Sequence, residues 1–232
     1  MSEQGHGANC HPMQACVQLV PIFNHLESEQ IKEVMNVVHS TSYQVGEHLF
    51  HAGDRSDALY VVHTGKVRVY RLSETGREQL VRLLLPGDFT GELALFREGE
   101  HESYAEVIES AQICRISRLD LQPLLERYPM ISIHILNELA TRLEKAEQQT
   151  TRFATEKVQV RLAHFLAELM PSIESKAEVN LPMSRKDLAT YLGTTPETIS
   201  RTLSSFEKEG YLTQKGHKKI IIHDIDKLLI DV

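Results

Sequence analysis

The stretch from Ser184 to Leu203 constrains the chain most, because its apolar spacing is that of two short helices joined by a tight turn. Ser184 is placed to cap the first helix, with Asp187 three residues on in a capping-box arrangement, and Leu188, Ala189 and Leu192 follow at helical spacing. Gly193 breaks that helix. Thr195 is placed to cap a second one, and Pro196 suits its first position, where a missing N–H costs nothing. Ile199, Leu203 and Phe206 fall at i, i+4 and i+7 and would bury one face, which leaves Glu197, Ser200 and Arg201 together on another.

That polar face suits base edges in a major groove. Arg201 can give two parallel hydrogen bonds to guanine O6 and N7, Glu197 can accept from cytosine N4, and Ser200 can do either. Thr198 and the capping hydroxyls of Ser184 and Thr195 complete the candidate surface. An ordinary helical hairpin could carry the same pattern, so the residues that follow matter. Tyr211–Gln214 and Ile220–His223 read as short strands around a basic turn, with Lys215 and Lys218 placed to touch phosphates. Residues 156–232 are therefore expected to form a winged helix-turn-helix that binds double-stranded DNA.

A net charge of -7 is at first sight at odds with this. Residues 1–150 carry 13 basic and 21 acidic side chains, and residues 151–232 carry 12 and 11. Within 184–219 the tally is 7 basic against 4 acidic, so the proposed reading unit is locally basic. The acidic excess elsewhere would discourage nonspecific attachment to the DNA backbone. A hydrophobic content of 41% over 232 residues supports two modest cores. No run of about 18 apolar residues is present, and the polar start lacks a signal peptide's regions, so a cytoplasmic protein with no membrane segment is expected.

From Tyr43 to Ile116, short runs rich in Val, Leu and Tyr are punctuated by glycine, as in Val45-Gly-Glu, Ala52-Gly-Asp, Glu74-Thr-Gly-Arg and Leu85-Pro-Gly-Asp. The runs Ala58–His63 and Lys66–Tyr70 around Thr64-Gly65 predict two antiparallel strands joined by a hairpin there. A barrel or jelly roll is the natural closure, so the expected fold class is α+β. From Pro129, helical periodicity takes over. Leu136, Leu139, Leu143, Ala146, Thr150 and Phe153 keep the alternating 3-4 spacing of a coiled-coil seam, which predicts a dimerisation helix over 129–155. A two-fold homodimer would read a palindrome. The expected organisation is a cysteine-bearing segment at 1–20, a β-roll sensor domain at 21–128, this helix, and the DNA-binding domain.

With that order established, the whole chain from about residue 10 resembles the Crp/Fnr family of bacterial transcription regulators. Gly91-Glu-Leu-Ala-Leu-Phe is similar to the family's phosphate-binding cassette, and Thr195-Pro-Glu-Thr-Ile-Ser-Arg resembles the recognition helix of the Fnr branch. The resemblance implies a half-site of the form TTGAT with an inverted partner. It also implies that the loop from Ser73 to Glu78 could touch RNA polymerase. Cyclic AMP, the best-known ligand of the fold, is held in the family by an Arg-Ser pair. Here Glu102 precedes Ser103, and a carboxylate would repel the cyclic phosphate, which argues against cyclic AMP. Gly91 and Glu92 then read as turn residues that preserve the fold.

Three cysteines are present, Cys10, Cys16 and Cys114. They are similar to three of the four cysteines that hold a 4Fe–4S cluster in Fnr-type oxygen sensors, so the resemblance implies a cluster on this set, with thiolates as its ligands. Where the fourth cysteine would lie, this chain has Gly7; His6 and His11 are nearby nitrogen donors. A structural zinc on three cysteines and one histidine is a further possibility. So is an effector of another small-molecule kind. The resemblance also extends to Fnr-like proteins of lactic acid bacteria, where an N-terminal cysteine and one in the β-roll form a reversible disulfide. Cys114 with Cys10 or Cys16 would imitate it, provided their Cα atoms lie within about 7 Å; a buried Cys114 would count against such a switch.

Enzyme chemistry finds no support. The twelve histidines form no His-Glu-x-x-His pair, and neither a Gly-x-Ser-x-Gly elbow nor a P-loop is present. The chain reads as a homodimeric transcription regulator with an oxygen or redox input.

Overall fold

The computed structural model describes Val17, residues 20–171 and residues 176–232. Cys10 and Cys16, with most of the expected N-terminal segment, lie outside them. Packing divides the chain into two units: residues up to Arg71 with Arg82–Thr141, and Leu72–Val81 with Arg142–Val232.

The first unit is an antiparallel roll. Helix α1 (Ser28–Met35) starts at Glu27, whose backbone N–H is met by the Gln30 side chain (2.9 Å) in a capping box. Strands β1 (His39–Tyr43), β2 (His48–Phe50), β3 (Ala58–Leu72), β4 (Glu78–Leu84), β5 (Phe89–Thr90) and β6 (Tyr104–Ser117) follow, then helix α2 (Arg118–Arg127). The sheet order is β1-β6-β3-β4, with β2 added to β6 and β5 to β3.

Period-two alternation sorts the side chains of β3 and β6 into two cores. Ala58, Tyr60 and Val62 on β3 and Ala105, Val107, Ala111 and Ile113 on β6 fill the roll interior with Phe50 and Leu84. Leu59, Val61, Cys114 and Ile116 face the other way, into a cluster with Val20, Ile22, Phe23, Ile31, Leu121, Ile131 and Ile135.

The expected hairpin at Thr64-Gly65 does not form. β3 runs unbroken through Gly65, pairing with β6 on both sides, and the glycine sits among register shifts between Val62 and Val67. Gly65 has φ 83, and a Cβ there would stand 2.6 Å from the Glu109 carbonyl oxygen and closer still to that of Ser110. The glycine therefore permits a bulged crossing of two long strands, where the sequence suggested a reversal. Gly91 (φ 81) is also a packing glycine: a Cβ would overlap the Ala58 carbonyl oxygen.

Helix α3 spans Pro129–Thr155. Ile131 and Ile135 are wholly buried in the first unit's core, whereas Leu136 and Leu143 are 54% and 61% exposed. The second unit continues through α4 (Val158–Glu168), β7 (Ala177–Asn180), α5 (Arg185–Tyr191), α6 (Pro196–Lys208), β8 (Leu212–Lys215), β9 (Lys219–Ile222) and α7 (Ile225–Asp231). β7, β9 and β8 form an antiparallel sheet in that order. Leu162, Leu166, Leu188, Ile199, Leu203 and Leu228 are completely buried. Among the described residues no helix is long and apolar enough to cross a membrane.

Candidate nucleic-acid interface and cysteine site

Both caps of the helix-turn-helix form as expected from their sequence. The Ser184 hydroxyl accepts from the Asp187 N–H (3.1 Å) and donates to its carboxylate (2.6 Å), and Thr195 accepts from the Thr198 N–H (3.3 Å). These hydroxyls fix the two helix starts. Gly193, at φ 65, makes the turn between them. Ile199, Leu203 and Phe206 are buried, and Thr202 joins them. This turns Glu197 and Arg201 outward, with Ser200 half-buried beside them.

The Glu197 carboxyl is held below its usual range, first by a hydrogen bond from its own backbone N–H at the helix start, then by the Thr195 hydroxyl, with Arg201 adding a smaller effect. It is thus an ionised acceptor one helical turn from an exposed guanidinium. Acceptor and donor stand side by side, as reading a base-pair edge requires.

The wing is the turn between β8 and β9, closed by pairing of Lys215 with Lys219. Lys215 and Lys218 are exposed. Lys219 is ion-paired to Glu178 on β7 (2.6 Å), whereas Lys215 and Lys218 make no ion pair among the described residues.

Sequence reasoning missed what holds this wing. Arg185, in the first turn of α5, donates to Gln214 Oε1 (2.8 Å) and to the carbonyls of Gly216 and His217 (both 3.3 Å). Gln214 in turn donates its backbone and side-chain N–H groups to Glu207 on α6 (2.8 and 2.9 Å), which holds the Glu207 carboxyl low. One network therefore joins both helices to the wing. An arginine that opens a helix gave no signal of this in the sequence. Also in this unit, Gln79 at the start of β4 donates to the Thr190 carbonyl (2.5 Å), and its neighbour Glu78 pairs with Lys186 (3.4 Å).

In the first unit Glu102 is an exposed partner of Arg71 (2.6 Å). Glu92 is buried and bonded to Arg82 of β4 (3.3 Å), so this carboxylate is matched by a cation from the roll.

Cys114 is disulfide-bonded and 2% exposed. The chain's other cysteines, Cys10 and Cys16, lie outside the described residues. A sulfur engaged in a disulfide is no thiolate donor, so in this state Cys114 fits neither an iron–sulfur cluster nor zinc. Among the described residues no group of three His, Cys, Asp or Glu side chains is arranged to hold a metal ion.

A cyclic nucleotide-binding domain matches residues 40–128, and a Crp-like helix-turn-helix domain matches residues 160–229. Over 212 residues the chain is 34% identical to a protein named as the probable transcriptional regulator flp of Lacticaseibacillus casei, covering 91% of this chain and 96% of that one. It is 31% identical to an anaerobic regulatory protein of Aggregatibacter actinomycetemcomitans, covering 97% and 86%. The solved structure of FixK2 from Bradyrhizobium japonicum is similar at a TM-score of 0.72 and 29% identity, covering 83% of this chain and 96% of that one. With its roll, long helix and capped helix-turn-helix in this order, the chain belongs to the Crp/Fnr family, on its Fnr-like branch, and is a DNA-binding transcription regulator.

Proposed function

We propose that the protein is a cytoplasmic homodimer that binds a palindrome of TTGAT-like half-sites and is switched by a thiol–disulfide couple between Cys114 and either Cys10 or Cys16. The observation that carries the redox reading is the disulfide at Cys114, on the face of β6 that packs with α3 through Ile131 and Ile135. Reduction would take two electrons and two protons from a dithiol or an equivalent donor and leave two thiols; oxidant reverses it. Burial of Cys114 among aliphatic side chains weighs against direct attack on its sulfur, so the switch requires the reductant to attack the partner sulfur and release the Cys114 thiolate. Loosening that core would alter the seating of α3, and so the fit of two recognition helices to their half-sites.

Dimerisation is supported by two seam leucines that α3 leaves uncovered: Leu136 and Leu143, one heptad apart, are 54% and 61% exposed. Cyclic AMP is proposed not to be the input, because Glu102 carries a carboxylate where the family's phosphate-binding arginine stands. RNA polymerase is a proposed partner of the exposed Ser73–Arg77 turn.

A second reading, a 4Fe–4S cluster on Cys10, Cys16 and Cys114 in the reduced protein, is favoured by kinship to proteins named as anaerobic regulators. One experiment separates the readings: iron, sulfide, zinc and free-thiol content of protein purified without oxygen, then exposed to air. Metal-free protein whose thiol count falls by two per chain and recovers with dithiothreitol supports the disulfide. About four iron and four sulfide per chain, bleached by air, would replace it with the cluster; stable zinc would make the cysteines structural.

A further inference from the structure

The second unit contains a cavity of about 520 Å³ that lies among α3, α4 and α5, within the range of about 300–1,000 Å³ typical of small-molecule sites. Three of its lining side chains are cationic, Lys145, Arg152 and Arg161, and one is anionic, Glu168. Glu168 is spent on Arg152 (2.9 Å). Arg161 receives only carbonyls: its Nη1 donates to the Glu156 oxygen (2.8 Å) and weakly to that of Phe153 (3.5 Å). Its Nε is buried and makes no hydrogen bond, and the guanidinium lies 5.2 Å from the Phe153 ring centre. Lys145 is exposed and makes no ion pair among the described residues. Two positive charges in the wall are therefore not met by a carboxylate.

The rest of the wall is aromatic. Phe165 and Tyr191 stand with ring centres 5.8 Å apart and planes tilted by 60°, and Phe153 closes another side. Rings around an unbalanced positive charge select a ligand that is flat, apolar over most of its area and negatively charged at one edge.

We propose that this cavity binds a small aromatic carboxylate, with its anionic edge on Lys145 in the field of Arg161 and its ring among Phe153, Phe165 and Tyr191. The site lies wholly within the DNA-binding unit, whereas Cys114 belongs to the first unit. Phe153 makes it a device for regulation, because the same ring is the nearest neighbour of Gly193, at 3.6 Å from where a Cβ would stand, in the turn between α5 and α6. A ligand stacked on Phe153 presses on the joint that sets the angle of the recognition helix.

The test uses the full-length protein and the fluorescent aromatic sulfonate 1-anilinonaphthalene-8-sulfonate, displaced by 1-naphthoate. Saturable displacement at one site per chain is expected. Lys145→Glu should weaken naphthoate at least about tenfold, the equivalent of one lost charge contact, while leaving thermal stability unchanged because the side chain is exposed. The uncharged analogue 1-naphthylmethanol should displace poorly from both proteins. Arg161→Gln should weaken naphthoate in the same direction. Equal displacement by acid and alcohol, or equal naphthoate affinity in the parent and Lys145→Glu, would overturn the site and reduce the dye signal to adsorption on exposed apolar surface. Since no DNA is present, this failure would leave the DNA-binding role untouched.

Discussion

Arg185 and Gln214 are joined at 2.8 Å, tying the first turn of one helix of the DNA-binding motif to the base of its wing. The same guanidinium also holds the carbonyls of Gly216 and His217, so one side chain braces the basic turn against α5. Removing it by Arg185→Ala should cost about 1.5–3 kcal/mol of stability in the second unit, the range for hydrogen bonds made by a charged group. The DNA consequence is a coupling. Arg185→Ala and Lys218→Ala should be less than additive in a double-mutant cycle of operator affinity, because a wing already displaced has no lysine contact left to lose. Strict additivity would show that the network does not place the wing.

Lys218→Ala alone should weaken binding to specific and random duplexes alike and reduce the slope of log affinity against log salt by about 1. A slope equal to the parent's would remove Lys218 from the phosphate contacts.

Arg201→Ala should cost about 1–3 kcal/mol at the guanine of the half-site and relax the preference for it. Binding measured across all four bases at that position checks both effects together. Loss of affinity with discrimination intact would make Arg201 a phosphate ligand.

Acid should destabilise the first unit through buried imidazoles. His25 stacks on His134 with ring centres 4.0 Å apart and both its nitrogens buried without a hydrogen bond; its pKa is lowered first by burial and then by His134. His101, stacked 3.6 Å from Phe50, is lowered by burial against the opposing pull of Asp54, Asp57 and Glu92. A lowered folded pKa means that the unfolded chain takes up protons first as pH falls. The stability held above the unfolded histidine value of about 6.5 should decline from there towards the lower folded values. Urea midpoints at pH 7.5 and 5.5 test this. His25→Phe, which has no proton to gain, should lose less over that interval than the parent, and an equal loss would acquit this pair.

Gly65→Ala should be among the most damaging single-methyl additions to the chain, at more than about 3 kcal/mol. It combines a left-handed backbone with overlap on the β6 main chain. Gly76→Ala, at a similar φ but with open space around it, should cost much less. Comparable losses at the two sites would show that backbone strain, not the strand crossing, dominates.

The recognition helix was legible because its signals are local: a capping threonine, a proline at the first position and an apolar spacing all lie within Thr195–Phe206. The long helix was legible for the same reason. Gly65 misled because a glycine between two β-like runs fits both a reversal and a bulge, and only the distant partner Ser110 decides between them. β7 was missed because Ala177–Asn180 carries a single buried residue, Val179, and exists by pairing with β9. The anchor formed by Arg185, Gln214 and Glu207 was invisible because it joins three elements that no sequence period relates.

Ile113 and Cys114 are neighbours on β6 that look into different cores. The strand is thus a party wall one residue thick, and parity decides which room a side chain enters. A one-residue insertion in β6 before Cys114 would move the sulfur into the roll and an aliphatic side chain out to the helix side. A cysteine could migrate along this wall over evolutionary time only in steps of two, and a ligand on one side and a sulfur on the other would always share the same stretch of backbone.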